Sequence, residues 1–225
     1  MGESQIKSKK RVTDHGEVYT NEREVKAMCD LVKSETERID SRFLEPACGN
    51  GNFLAEILSR KLAVVNQKYK KSPYDYEKYS VVAITSLYGV DILIDNVMEC
   101  RERLYNIWNK EYTKTCKKEA NDECRKAVQY ILSKNILCGN ALSLMQVDEK
   151  GNDTDKPIAF AEWSLVSGNN VKRRDYYLNE LLDGHKEQID IFMTEWDYDE
   201  ETQSFIPKPF KEYPLTDYRR LSEHE

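Results

Sequence analysis

The sequence predicts a single α/β domain with a mostly parallel sheet and helices on both faces. Three observations support this fold class. Short apolar segments alternate with longer segments of helical periodicity, which is typical of strand–helix–strand units. A glycine-rich turn joins the first of these strands to the helix that follows it. Finally, 225 residues with 40% hydrophobic and 33% charged side chains suffice for one buried core and not for two full domains.

The first predicted elements are a helix, a strand and a second helix. Residues 22–34 repeat apolar side chains at helical spacing, and Thr20 or Asn21 can cap the N-terminus. The apolar positions of this helix are Val25, Met28, Leu31 and Val32. Residues 42–45 form a short buried strand that stops before a proline, and residues 52–69 again show one apolar helical face.

The segments that follow continue the alternation as far as residue 161. Further helices are predicted over 76–86, 96–114 and 122–134, and strands over 87–90, 135–138 and 158–161. Residues 151–157 are polar and predict a loop. Beyond Gly168 we expect a helix at 175–182, a strand at 189–196 and an extended tail over 205–214. Alternation of this kind favours a parallel sheet.

Composition and charge argue against several classes of protein. No segment approaches the roughly 20 apolar residues that span a bilayer, and no apolar stretch follows the basic N-terminus as in an export signal. The six cysteines form no C-x-x-C pair, and the histidines (His15, His185 and His224) show no metal-ligand spacing. We therefore expect reduced thiols in the cytoplasm, no membrane partner and no metal site.

The charge balance argues against unaided binding to nucleic acid. The net charge is −6 and the pI about 5.4, whereas a chain that grips nucleic acid by itself usually has a strongly basic face. Its basic runs are short: Lys7–Arg11, Lys68–Lys71 and Lys172–Arg174.

The glycine-rich turn has the chemistry of a small-ligand site. Glycines let the backbone approach a ligand closely, and the N-terminus of the next helix presents free N–H groups to a carboxylate. Asp91 ends the second strand, where it can accept hydrogen bonds from ribose hydroxyls or cap the next helix. Gly139 and Asn140 end the third strand, where the amide can reach an adenine ring or simply form a turn.

The residues of this turn resemble a known cofactor motif. The stretch Glu45-Pro46-Ala47-Cys48-Gly49-Asn50-Gly51-Asn52-Phe53-Leu54 resembles motif I of the gamma-class adenine-N6 DNA methyltransferases, which include modification subunits of type I restriction systems. The family's usual serine is Asn50 here. Upstream, His15 to Thr20 resembles the family's N-terminal motif, with Asn21 in place of its proline.

Two further segments extend the resemblance in the family's own order. Gly89-Val90-Asp91 resembles its ribose-binding segment, and Ile136 to Asn140 resembles its I-L-x-G-D segment with Asn for Asp. The resemblance implies a Rossmann-like fold of SAM-dependent methyltransferases, with S-adenosylmethionine (SAM) as cofactor. The implied cofactor contacts are Tyr19, Thr20, Glu45, Pro46, Ala47, Gly49, Asn50, Gly51, Asn52, Phe53, Asp91, Ile92, Asn140 and Ala141. We expect one domain with an N-terminal cofactor-lid region (1–40), a core (41–165) and a C-terminal extension (166–225).

The catalytic half of the family's pattern is missing from the chain. In the family, an N/D-P-P-Y/F/W tetrapeptide binds the adenine amine and stacks on the flipped base, and no such tetrapeptide occurs here. The fourth strand instead leads into Glu162 and Trp163, which could take these catalytic roles beside the methyl donor. A surface glutamate and a core tryptophan are the competing interpretation.

Three hypotheses about function follow. The first is a SAM-dependent methyltransferase of the DNA adenine-N6 type, in which orientation supplies most of the acceleration. The second is a catalytically inactive relative that serves as a SAM-binding partner or regulatory module in a restriction-modification complex. The third is a methyltransferase acting on a substrate other than DNA. Residues 164–225 leave no room for a target-recognition domain, so DNA would be recognised through a partner subunit.

Overall fold

The computed structural model describes residues 7–15, 17–182, 196–199 and 204–223. The helices are α1 (Lys9–His15), α2 (Glu22–Leu31), α3 (Lys33–Thr36), α4 (Asn52–Tyr69), α5 (Pro73–Thr85), α6 (Ile94–Cys116), α7 (Asp122–Asn135) and α8 (Leu178–Leu182). The strands are β1 (Phe43–Glu45), β2 (Leu87–Asp91), β3 (Ile136–Asn140), β4 (Met145–Val147), β5 (Asp153–Pro157), β6 (Ala159–Ser167), β7 (Asn170–Tyr177), β8 (Trp196–Asp199), β9 (Ser204–Pro207), β10 (Lys211–Glu212) and β11 (Thr216–Asp217). Two 3₁₀ helices cover Lys117–Glu119 and Tyr218–Glu223.

The main sheet has five strands in the order β1-β2-β3-β4-β5. Its first three strands are parallel, with Phe43 beside Leu87 and Asp91 beside Cys138. The next two strands are antiparallel to their neighbours. The predicted α/β class is therefore confirmed, and the sheet is mixed, with its parallel part built from the three strands that precede residue 141.

The predicted fourth parallel strand is wrong. The segment expected at 158–161 begins β6, which continues to Ser167 and pairs antiparallel with β7. The chain reverses at Gly168, whose φ of +57° suits a glycine in a tight turn. Strands β10 and β11 pair with the two ends of β7, so β7 is the central strand of a separate antiparallel sheet.

The two faces of the main sheet are covered differently. Leu87 faces the larger core, which also contains the buried sides of helices α4, α5, α6 and α7. Tyr88 and Val90 point to the opposite face, where they pack against Ile158, Phe160 and Leu178. The expectation of a helical layer on both faces is thus wrong for the described residues, because β6 and one side chain of the short helix α8 cover the second face.

Most helix and strand positions before residue 141 agree with the sequence analysis within three residues. Asn21 caps α2 by accepting a hydrogen bond from the Arg23 backbone. The apolar face predicted for this helix is wrong, however. Val25 and Cys29 are buried against the core, whereas Met28, Leu31 and Val32 are exposed.

The C-terminal third departs further from prediction. Residues expected to form a loop at 151–157 include β5. The helix expected at 175–182 is confirmed for Leu178–Leu182, which form α8, whereas residues 175–177 end β7. The strand expected at 189–196 lies outside the described residues except for Trp196, which begins β8. The extended tail at 205–214 includes parts of β9 and β10. No helix within the described ranges has both the length and the apolar character needed to cross a membrane.

Candidate functional site

The glycine-rich loop, residues 46–51, lies between the end of β1 and the start of α4. Its backbone is tied to the next strand, since the Cys48 N–H donates to the Val90 carbonyl over 2.9 Å. A second hydrogen bond of 2.8 Å, from Gly51 N–H to the Cys48 carbonyl, closes the turn. The loop is therefore held at the carboxyl end of the parallel strands, where open α/β sheets bind their ligands.

Two glycines of the loop have left-handed backbone conformations, with φ +52° at Gly49 and +85° at Gly51. A Cβ on Gly51 would lie 2.7 Å from the sulfur of Cys100, which no side chain tolerates. A Cβ on Gly49 would lie 3.2 Å from the ring of Tyr19. The glycines thus let the loop approach α6 on one side and the N-terminal segment on the other.

The N-terminus of α4 presents uncapped backbone donors at this loop. Its N-cap is Gly51, which has no side chain to accept from the first turn, and no acidic residue lies in that turn. The side-chain oxygen of Asn50 is also buried without a hydrogen-bond partner. A buried acceptor without a donor is costly, so both features suit a polar ligand that brings a carboxylate and a donor to the loop.

Asp91 links the loop to the second strand. One oxygen of its carboxylate accepts the Gly49 N–H over 2.9 Å, and the other accepts the Leu93 N–H over 2.9 Å and the Asn96 side-chain amide over 3.2 Å. An ionised carboxylate has about four lone-pair positions, so this one keeps acceptor capacity for a ligand. The N-cap of α6 is Leu93, so Asp91 is not the cap itself.

The predicted N-terminal contacts lie against the same loop. The hydroxyl of Tyr19 donates toward Asn96 and Glu17, at 3.1 and 2.8 Å, while its ring covers Gly49. The Thr20 carbonyl accepts the side-chain amide of Asn52 over 3.0 Å. Two segments about 30 residues apart in the sequence are thus in contact.

The remaining predicted residues of the first strand and helix line the base of the loop. Burial raises the pKa of Glu45, and the Ala47 backbone N–H partly opposes this. Asn52 accepts a 2.5 Å hydrogen bond from Arg103, and Phe53 packs against the main core. These side chains therefore serve the loop's own structure as well as any ligand.

At the end of β3, Asn140 is engaged within the chain. Its amide donates to Asp153 and its oxygen accepts the Leu142 N–H, both over 3.0 Å. Ala141 packs against the smaller core cluster, and the Ile92 carbonyl lies 3.6 Å from the Cys138 sulfur. Because β1, β2 and β3 are parallel, these residues lie at the same edge of the sheet as the glycine loop.

Glu162 and Trp163 lie elsewhere. They occupy the middle of β6, and their partners are Arg42 and Asn135, which immediately precede β1 and β3. The expected position at a strand end beside the glycine loop is therefore wrong, because both side chains reach the amino ends of the parallel strands.

The competing interpretation is confirmed for the core tryptophan, whereas its surface glutamate is wrong, because the Glu162 side chain is only 14% exposed. Trp163 is 6% exposed and its indole donates to Asn135 over 2.9 Å. Glu162 forms ion pairs with Arg42 and Arg174. A cleft of about 660 Å³ opens at this end of the sheet, with Trp163 in its wall and none of the predicted cofactor contacts.

Several residues of the site were not singled out by the sequence. Asn96, Glu17 and Arg103 complete the hydrogen bonds around Asp91, Tyr19 and Asn52. A polar residue one turn into a predicted helix normally faces solvent. The sequence pattern around Asn96 therefore does not indicate that its side chain is buried. The hydrogen bond with Cys100, together with burial, raises the pKa of Cys48, so this thiol stays protonated and is unsuited to act as a nucleophile.

Comparisons with known proteins add no relative. The chain matches no protein-family model, no curated protein and no solved structure.

Proposed function

We propose that the chain binds S-adenosylmethionine at the carboxyl edge of β1 and β2. One observation carries the proposal: the glycine loop, Asp91 and Tyr19 meet at this edge, with the Gly49 N–H donating to Asp91 and the Tyr19 ring on Gly49. The order of these elements along the chain is also the order in the adenine-N6 methyltransferase family that the sequence resembles.

The residues present fit the groups of this cofactor. The uncapped first turn of α4 offers N–H donors to the carboxylate of the methionyl end. The free acceptor capacity of Asp91 suits the ribose hydroxyls, and the unpartnered oxygen of Asn50 suits an ammonium donor. Asn140, at the same edge, would need to exchange its contact with Asp153 to reach an adenine ring.

When bound, SAM supplies a sulfonium-linked methyl group that an amine can attack. The described residues at this edge bind and orient, and the acceptor side of the reaction is not assigned to any of them. Since Glu162 and Trp163 contact the opposite end of the sheet, a second candidate gains support. In it, the chain is a SAM-binding module whose acceptor site, if any, comes from a partner.

Calorimetric titration of the purified chain with SAM and with its demethylated product tests the proposal. We expect micromolar dissociation constants or better for at least one of them, near −8 kcal/mol or below. Gly49→Val should weaken binding by about tenfold or more, because its side chain would enter a left-handed position against Tyr19. Asp91→Asn should weaken it similarly by removing the charge that accepts ribose hydroxyls.

Asp155→Asn serves as the matched control, since this aspartate is exposed on β5. Circular dichroism and thermal melting verify that each variant folds. No heat and no thermal shift with either ligand at millimolar concentration would remove the proposed cofactor. Transfer of tritiated methyl groups to DNA, RNA or lysate by the isolated chain would favour the enzyme over the binding module.

A further inference from the structure

Asn96 is a buried amide at the centre of the site. It lies in the first turn of α6 and is 1% exposed. Its nitrogen donates to Glu17 over 2.7 Å and to Asp91 over 3.2 Å. Its oxygen accepts from Lys7 over 2.9 Å, from Tyr19 over 3.1 Å and from Arg11 over 3.3 Å. Neither the charge pattern nor the motif resemblance assigns any role to this residue.

The two ends of this amide face opposite charges. Two carboxylates lie on its nitrogen side, and two cations with a phenol lie on its oxygen side. The partners thus fix the amide orientation, because a rotated amide would place its donors against Lys7 and Arg11. Among the amino acids, asparagine has the one uncharged side chain of this size that can donate to two carboxylates and accept from two cations.

The N-terminal segment, described over residues 7–15 and 17–20, is held to this residue from several directions. Besides Asn96, Lys7 pairs with Glu99 at 2.6 Å, and Arg11 pairs with Asp95 and Glu17. The hydrogen bond from Arg11 lowers the pKa of Asp95 to about 2. Burial opposes ionisation of Glu17, but hydrogen bonds from Asn96 and Tyr19 lower its pKa overall. Asn96 thus joins this segment to Asp91 through one amide.

We propose that Asn96 is a positioning residue that orients Asp91 toward the ribose and couples SAM binding to docking of this N-terminal segment. The inference rests on the proposed function. The amide restrains the Asp91 carboxylate from one side while the Gly49 and Leu93 N–H groups restrain it from others. A ligand that fixes Asp91 or Tyr19 therefore strengthens the attachment of the segment, and the attached segment favours the ligand by the same factor.

Two substitutions separate positioning from packing. Asn96→Leu removes both the donors and the acceptor. Asn96→Asp keeps an acceptor for Lys7, Arg11 and Tyr19 but places a third carboxylate against Asp91 and Glu17. Asp95 and Glu99 also disfavour that charge, whereas Lys7 and Arg11 favour it. As the pH falls, a proton on the new carboxyl restores one donor, so the lost function should return in this variant alone.

The experiment titrates SAM into wild type, both variants and the control Asn106→Asp at pH 8 and pH 5.5. Asn106 is exposed on the same helix. We expect about tenfold weaker binding by both Asn96 variants at pH 8. Relative to wild type, Asn96→Asp should recover most of this loss at pH 5.5 and Asn96→Leu none. SAM should also slow trypsin cleavage after Lys7 to Arg11 in wild type and not in Asn96→Leu.

The outcomes distinguish this inference from the proposed function. If wild type does not bind SAM, the proposed function fails and the coupling fails with it. If wild type binds SAM but both Asn96 variants match it, or SAM leaves trypsin cleavage unchanged in wild type, only the role of Asn96 is overturned. If folded Asn96→Asp loses the same SAM affinity at both pH values, Asn96 has a packing role and does not position Asp91.

Discussion

Lys61 is a fully buried lysine on α4, and no carboxylate of the described residues contacts it. Its ammonium donates to the carbonyls of Ile39 and Ser41 and to the Ser86 hydroxyl, and it lies 5.2 Å from the centre of the Phe43 ring. Burial lowers its pKa to about 7. Charges on the nearby loop act in both directions, since Asp40 opposes the shift and Arg38 adds to it.

This lysine should give the protein a pH-dependent stability. The unfolded chain keeps Lys61 protonated up to a pKa of about 10.4, while the folded chain loses the proton near pH 7. Between these values the unfolded state binds more protons, so the free energy of unfolding rises with pH, by up to about 1.4 kcal/mol per pH unit. Urea unfolding at pH 7, 8 and 9 should show this rise in wild type relative to Lys61→Met.

Lys68→Met, on the exposed end of the same helix, should instead follow wild type across this pH range. Wild-type and Lys61→Met stabilities that change in parallel with pH would show that Lys61 stays protonated in the folded protein. The overall loss in Lys61→Met is a separate effect, because methionine removes one donor from each of the Ile39 and Ser41 carbonyls.

For individual residues, the sequence predicts the proposed ligand contacts better than the residues that support them. Gly49, Asp91 and Tyr19 stand at strand ends or in a recognisable motif, and the structure brings them together. Asn96 and Lys61 are polar residues within helical segments, where periodicity favours exposure. Their burial depends on charges and carbonyls that arrive from segments more than 15 residues away, which local pattern does not encode.

Among the elements, the C-terminal 3₁₀ helix is anchored through one buried carboxylate. Glu77 on α5 is almost fully buried and accepts hydrogen bonds from Tyr218 and Arg219 at 2.7 and 2.6 Å. It also accepts from Tyr112 on α6 and from Asn121 just before α7. Four parts of the chain therefore meet at this side chain, which ties the C-terminal segment to the helices of the main core.

Neutralising this carboxylate should loosen the C-terminal segment. Glu77→Gln keeps the shape but turns an amide group toward donors, so it should lower the free energy of unfolding by about 3 kcal/mol. Arg219→Met should cost less, because Arg219 is 30% exposed and can be replaced by water. Urea unfolding measures both, with exposed Glu123→Gln as the control. Additive effects in the double variant would contradict a direct interaction between the two residues.

The elements that were predicted wrongly share a cause. The segment at 158–161 is a short apolar run, which fits a buried parallel strand as well as the start of a long antiparallel one. The turn at Gly168-Asn169, flanked by alternating side chains, is the hairpin signal that distinguishes them. Strand β5 has the sequence DTDKP, which is too polar to be recognised as a strand. It forms a strand because it pairs with β4.

Across the whole molecule, ion pairs leave fewer cations free than the net charge of −6 alone indicates. In the run Lys172–Arg174, the three side chains pair with Glu212, Asp175 and Glu162 respectively. In the N-terminal run, Lys7 and Arg11 pair with acidic groups around Asn96. Of the three basic runs, Lys68–Lys71 thus keeps the most open cations among the described residues.

That remaining run is far from the proposed cofactor edge. Helix α4 has 18 residues, so its end lies about 27 Å from the glycine loop at its start. The phosphates that flank a base at the loop would therefore lie beyond the reach of Lys68–Lys71. If the chain contributes to DNA methylation, we therefore expect a second polypeptide to supply the target recognition.

We accordingly expect the isolated chain to bind duplex DNA weakly, without sequence preference and with strong salt dependence. Fluorescence anisotropy with two unrelated labelled duplexes should give dissociation constants above about 10 µM at 150 mM salt. A triple variant, Lys68→Glu with Lys70→Glu and Lys71→Glu, should abolish the residual binding and leave SAM titrations unchanged, whereas Lys110→Glu should alter neither. Protection of a defined DNA sequence from a cognate nuclease by the purified chain alone would overturn the need for a partner, because recognition would then reside in these 225 residues.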